Sequence, residues 1–237
     1  MNEAATRPHL ERLDAVLRNV DWDRIVESLE PLERILRELA APEVLGALYE
    51  RVLAKPELIR RSERFNLFSK VLLHRDPATG CKLRLHVFEE PIAEAHNHRA
   101  SFAALILRGS YTHTLYGGEE ASALLSGGEV PHSLFVQRQR SGTCYAIHHA
   151  MVHSTLADET TVSLMLQGPP GRDEFHIIDL GSGQVRSRTT SQGPDVPQEA
   201  GERGLTAVDL DRLRGQLRAA GVLPEKAPVG EVSARKR

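Results

Sequence analysis

The residues best suited to chemistry in this 237-residue chain are its eleven histidines, nine of which lie from position 74 to position 153. Imidazole is the commonest metal ligand and titrates near neutral pH. The sharpest local pattern is His96-Asn97-His98. On a strand, residues two apart share a face. Two imidazoles at this spacing therefore converge on one point inside a barrel, at a separation suited to one metal ion. Far downstream, residues 145–153 (Tyr-Ala-Ile-His-His-Ala-Met-Val-His) run from a strand through a turn to further histidines. A ligand from such a distant strand is how a barrel completes a site. His153 follows the turn, whereas His148 and His149 occupy it and compete as the third ligand.

The elements that must hold these side chains fall into three regions by hydrophobic period. Residues 1–62 read as a helical layer. Leu10, Leu13, Val16 and Leu17 recur at helical spacing, as do Leu29, Leu32, Ile35, Leu36 and Leu39, then Leu45, Leu48, Val52 and Leu53. Pro42 is placed to start the third of these helices at its first turn, and Pro56 to close it. Residues 63–190 change to short strands and turns. Residues 83–88 and 111–116 alternate, 103–107 are apolar on both faces and 162–166 nearly so. Turn signals such as Asp76-Pro77, Gly109, Gly117-Gly118 and Ser141-Gly142 separate them. This spacing predicts a mainly β, antiparallel barrel or sandwich with no helix interrupting the strands. Residues 191–237 read as a polar linker with Gly193-Pro194 and Pro197, one helix over about 208–220, and a charged tail without order. Thr206 is the expected N-cap of that helix, with Asp209 three residues on and Gly221 past its end.

Composition narrows the function classes. With 30 basic and 32 acidic residues, the formal charge of −2 supports neither a nucleic-acid partner nor an anionic membrane surface. No run approaches the ~18 apolar residues of a membrane helix. The opening Met1-Asn2-Glu3-Ala4 lacks a signal-peptide pattern. Two cysteines, Cys81 and Cys144, are no disulfide framework, and a cytoplasmic location is the expectation. The apolar N-terminal helices raise the expectation of a homodimer.

His96-x-His98 followed by Gly109 resembles the first motif of the cupins, and residues 145–153 resemble the second, with His153 at its ligand position. The resemblance covers about residues 66–180 and implies a jelly-roll-like β-barrel. The usual first motif places a ligand glutamate seven residues before its closing glycine. Here that position is Phe102, which cannot bind a metal. The chain therefore resembles the three-histidine branch, which includes thiol dioxygenases such as cysteine dioxygenase. Residues 162–170, ending in Gly168-Pro169-Pro170, are similar to the last strand of that family. The histidine and tyrosine which assist catalysis there fall on Met165 and Gln167 here, and the arginine that binds the substrate carboxylate falls on Lys70. These departures carry over the metal site but not the substrate.

The resemblance implies a metal held by His96, His98 and His153, with iron(II) first and zinc, nickel, manganese or copper as other candidates. Three neutral imidazoles leave positions for a substrate and O2. His113 and Tyr111, on the strand after Gly109, are candidates for proton transfer or substrate orientation. Lys70, Arg84, Gln167, Phe102 and Met165 are candidates for the substrate pocket. Two function classes follow. One is a non-haem iron oxygenase acting on a small polar molecule, such as a thiol, an amino acid or an enolisable compound. The other is a non-oxidative cupin, an isomerase or ligand-binding module, whose metal only positions its ligand. A metal-free regulatory barrel is a third and weaker reading.

Overall fold

A computed structural model of the chain describes residues 2–65, 68–89, 94–158, 160–189 and 203–225. Four helices lead: α1 (Asn2–Leu17), α2 (Leu29–Leu39), α3 (Pro42–Ala54) and α4 (Pro56–Arg60). Seven strands and one helix follow, in the order β1 (Glu63–Phe65), β2 (Phe68–Arg75), β3 (Lys82–Phe88), β4 (Glu94–His96), β5 (Phe102–Arg108), β6 (Ser110–Gly117), α5 (Glu119–Ser126) and β7 (Phe135–Arg140). The chain continues through β8 (Cys144–Ile147), β9 (Val152–Ala157), β10 (Val162–Gln167), β11 (Glu174–Asp179), β12 (Val185–Thr189), β13 (Arg203–Gly204) and α6 (Ala207–Ala219).

The strands form two antiparallel sheets. One has the order β13-β1-β2-β3-β10-β5-β8 and the other β12-β11-β4-β9-β6-β7. The mainly β, antiparallel class read from the sequence is present. Its form is a two-sheet sandwich rather than a closed barrel, because among the described residues the edge strands of the two sheets do not pair. Two smaller corrections concern helices. Pro56 begins the short α4 rather than only ending α3, consistent with the preference of proline for a first helical turn. The eight-residue α5 interrupts the strands, and the sequence reading missed it because only Ala121, Ser122 and Leu125 face inward. The linker and tail expected over 191–202 and beyond 225 lie outside the described residues.

The first sheet divides its two faces by the period-two rule. Leu83, Leu85 and Val87 of β3, Val162, Leu164 and Leu166 of β10, and Ala103 and Leu105 of β5 turn one way and join a single core with the helices. That core takes Leu32, Ile35, Leu36 and Leu39 from α2, the apolar stripe at i, i+3, i+4 and i+7. The apolar residues behind the expected dimer are thus covered largely by the chain's own sheet. Helix α6 closes the far side. Its Thr206 caps Asp209 N–H while the Asp209 carboxylate accepts from Thr206 N–H, the reciprocal capping box expected. The buried Tyr49 hydroxyl donates to the Leu210 carbonyl at 2.8 Å and ties α6 to α3.

The opposite face of the same sheet looks toward the second sheet. It carries Lys82, Arg84 and His86 from β3, Ser163, Met165 and Gln167 from β10, and Phe102 and Ala104 from β5 in cross-strand register, with Phe88 of β3 paired to Phe68 of β2. The chain passes between sheets at Gly109, which joins β5 to β6. Its φ is +78°, and a Cβ there would lie 2.8 Å from the Thr161 backbone, so this turn requires glycine.

Candidate metal centre

Strand β4 is only three residues long, and His96 is its last residue. His98 lies just beyond the strand end, so the pair straddles it. His96 is in direct register with His153 on β9. The three rings meet with centroids 4.8 Å apart for His96 and His98, 4.6 Å for His96 and His153, and 4.9 Å for His98 and His153. Among the described residues, one ligand nitrogen from each falls within 4.8 Å of the others, and no carboxylate joins this group. His153 is buried, whereas His96 and His98 are partly exposed. The centre thus has a covered side and an open one.

Asn97 explains how the two flanking histidines are aimed. Its side chain turns away from them and is fully buried. The amide Nδ2 donates to Ser122 Oγ of α5 at 2.6 Å, and Oδ1 accepts the His176 N–H of β11 at 2.8 Å. The segment is therefore pinned from behind. His98 N–H donates to the His149 carbonyl at 3.1 Å, fixing it to the turn before β9. The competing His148 and His149 lie in that turn beside Asp23, in a separate group from the three converging rings.

Hydrogen bonds on the far side of the His96 and His153 rings decide which of their nitrogens remains for a metal. His96 Nδ1 faces the Glu94 carbonyl at 3.2 Å, so it holds the proton and leaves Nε2 free. His153 Nδ1 faces His113 Nε2 at 2.7 Å. With that proton donated to His113, His153 Nε2 has a lone pair. It lies 2.6 Å from His98 Nε2. Two imidazole nitrogens this close need one proton or one cation between them. A divalent ion bound by all three Nε2 atoms would replace that shared proton. The donor set therefore fits a metal.

The electrostatics agree. Burial pushes the pKa of His96 down to about 4 and holds His98 and His153 well below the ordinary imidazole value. All three are neutral at physiological pH, the form that ligates. Glu94, the nearest upstream carboxylate on the face of His96, is held instead by Arg186 of β12.

Phe102, at the position where the resemblance called for a glutamate, is 2% exposed and packs its ring 4.7 Å from His98 and 6.0 Å from His153. An apolar wall replaces a charged ligand. Met165 packs with Phe102, Ala104 and Ile147 on the same inward face. His113 is 3% exposed and its pKa is pushed down to about 4, chiefly by burial and partly offset by Gln139. It touches His153 rather than the open side. Tyr111 is buried among Phe88, Ile106 and Ala157, with its ring 6.4 Å from Tyr145, and is not among the rings in contact with the three histidines. Burial raises the pKa of its hydroxyl, so it is a proton-bearing phenol. Lys70 sets its ammonium 5.0 Å over the Phe68 ring, and its charge depresses His96, His98 and His86 alike. Arg84 and Gln167 occupy neighbouring rows of the same inward face.

Four contributors escaped the sequence reading. Tyr145 fills the space between Phe102 and His113, with ring centroids 6.1 and 5.1 Å away. Gln139, Asn97 and Ser163 are buried polar residues on or beside the strands. Only their alternation with apolar neighbours could have pointed to them, and polar residues on one sheet face are usually solvated.

No family model matches the sequence, and no curated protein is similar to it. Parts of solved structures resemble it. Ectoine synthase from P. lautus is 14% identical over 52% of this chain and 75% of that one, with a TM-score of 0.37. An acetylacetone dioxygenase from Acinetobacter johnsonii is 16% identical over 52% and 70%, with a TM-score of 0.33. Streptomyces albus HEPD, with 2-hydroxyethylphosphonate and Fe(II) bound, is 13% identical over 44% of this chain, with a TM-score of 0.35; this chain covers 22% of its length. Likeness at this level carries no argument about function.

Proposed function

We propose that this chain is a non-haem iron(II) oxygenase of the three-histidine cupin type, a dioxygenase acting with O2 on a small polar substrate. One observation carries the reading: three neutral imidazoles converge with no carboxylate among them, and an apolar ring stands where a fourth ligand would be. Iron(II) bound there would retain its full charge and supply open positions for a substrate donor and for O2. Every other part of the reading rests on the chain's own groups.

His96, His98 and His153 would hold the ion, with His96 oriented by the Glu94 carbonyl, His153 by His113 and the His98 backbone by the His149 carbonyl. His113 is a positioning residue, since its contact is with His153 Nδ1 and not with the open side. Phe102 and Met165 form the dry wall of the pocket, which strengthens electrostatic contacts inside it. Lys70 offers a positive charge to an anionic substrate group, with Arg84 and Gln167 as further anchors. Tyr111, with its proton retained, is a donor deeper in the pocket.

The test is anaerobic loading with Fe(II), followed by oxygen uptake against a panel of thiols, amino acids and enolisable compounds. Uptake with a subset of the panel, lost in His153→Ala, supports the oxygenase reading. Panel members that bind without consuming oxygen favour the non-oxidative cupin. That second reading stands because three-histidine donor sets also suit zinc and nickel.

A further inference from the structure

A second group of metal-ligating side chains lies outside the three-histidine centre. Asp23, in the loop between α1 and α2, meets His148 and His149 of the turn between β8 and β9, and one ligand atom of each falls within 4.8 Å of the others. The two rings are tilted by 37°, with centroids 4.0 Å apart. Among the described residues, no hydrogen bond or ion pair joins any two of these three side chains. By contrast, the His74 ring and the Asp14 carboxylate close to 2.9 Å and satisfy each other. The Asp23 group converges without doing so.

Its members are placed by rigid neighbours. Asp21 Oδ1 accepts the N–H groups of Asp23 at 3.1 Å and Arg24 at 3.3 Å, which turns the loop. The Trp22 ring sits so close to Gly168 that a Cβ there would lie 2.4 Å from it. His149 packs over Gly171 in the same way, at 2.9 Å. Ser101 Oγ accepts the His149 N–H at 3.1 Å and lies 3.3 Å from His149 Nδ1. With the Nδ1 proton donated to that hydroxyl, His149 Nε2 keeps its lone pair. His148 Nδ1 accepts the Ala150 N–H at 3.2 Å, so it also carries a lone pair, and ligation exchanges that long bond for one to a metal.

Two imidazoles and one carboxylate suit zinc, with water as the fourth ligand. Bonds of about 2.0–2.2 Å set tetrahedral ligand atoms about 3.4 Å apart. Asp23 is exposed and both rings are half-buried, so side-chain rotation closes the remaining gap. The same exposure lets water compete, so the site is weaker than the buried centre and fills only with free zinc present. Iron(II) lies below zinc in affinity for such donors.

We propose that Asp23, His148 and His149 form a second, zinc-binding site that clamps the helical layer to the turn before β9. The His149 carbonyl of that turn accepts the His98 N–H at 3.1 Å, so zinc there braces the backbone that carries His98. Zinc binding at the clamp is independent of what the first centre holds.

Equilibrium dialysis against micromolar free zinc tests this. Wild-type protein should take up two ions per chain, and His153→Ala, with its first centre broken, should still take up one. Asp23→Asn, at an exposed position, and His148→Gln should each weaken the second equivalent about tenfold or more and leave the first unchanged. Filling the second site should also slow backbone hydrogen exchange over residues 21–28 in wild type but not in Asp23→Asn. Absence of a second equivalent, a second equivalent untouched by both substitutions, or zinc uptake without slower exchange overturns the clamp.

Discussion

The two faces of the seven-stranded sheet come from the same strands, one residue out of step. Leu83, Leu85 and Val87 build the helix-covered core. Lys82, Arg84 and His86, their immediate neighbours, face the second sheet and the three histidines. One face is apolar and closed, and its residues can be judged by volume. The other carries aromatic and cationic side chains, and Arg84 Nε, His86 Nε2, Ser163 Oγ and Gln167 Oε1 are buried there without a hydrogen-bond partner among the described residues. The difference teaches that stability and function are separated here by the period of a β-strand, so substitutions one position apart should fail in different ways.

The largest effect should come from the inward side. His153→Ala removes one of the three proposed ligands and leaves the His98 and His113 contacts without their shared partner. Metal content should fall from about one per chain toward zero while far-ultraviolet circular dichroism is kept. Elemental analysis of the purified variant checks this, and retention of tightly bound metal would break the comparison. On the other face, Leu85→Ala should do the reverse. It should cost about 2–5 kcal/mol of unfolding free energy by creating a cavity in the helix-side core, with metal stoichiometry unchanged in the folded protein. Urea unfolding with parallel metal analysis separates the two.

A subtler change sharpens the picture. His113→Phe keeps a ring but removes the acceptor for His153 Nδ1–H. Metal affinity should drop about tenfold to a hundredfold, the usual effect of losing a partner behind a ligand. Competition with a chelator of known affinity reads this.

Acid should act in the same direction. The folded-state pKa of His96 is about 4, below its ordinary 6.5, and those of His98, His113 and His153 are also lowered. Between these values the unfolded chain binds protons that the folded chain refuses. Stability is therefore lost as pH falls from about 6.5 toward 4. Urea midpoints of the metal-free protein at pH 7.5, 6 and 5 should decrease in that order. The smallest effect is expected from Thr206→Ala, which loses the capping box of α6 at about 1 kcal/mol without touching the metal.

The contrast between faces also explains what could be read in advance. The helical stripes, the antiparallel strands, Gly109 and the Thr206 cap follow from local rules of spacing and turn chemistry. The gathering of His96, His98 and His153 is a long-range event, yet their spacing and the turn before His153 brought them into view. What local rules could not supply was the identity of partners. That His113 faces His153 depends on the pairing of β6 with β9. That Lys82 lies beside Gln167 and Arg84 beside Met165 depends on the register of β3 and β10. Helix α5 was missed because it buries too few residues to impose a period.

Three neutral imidazoles are proposed to hold one iron(II) with positions left open. The most direct test is metal analysis of the protein as purified, followed by anaerobic Fe(II) titration with nitric oxide as an electron paramagnetic probe of an open coordination position. Saturation at one iron per chain is expected, with an iron–nitrosyl signal that His98→Ala abolishes. Protein that holds only zinc and takes up no iron, or bound iron that gives no nitrosyl signal, would contradict it.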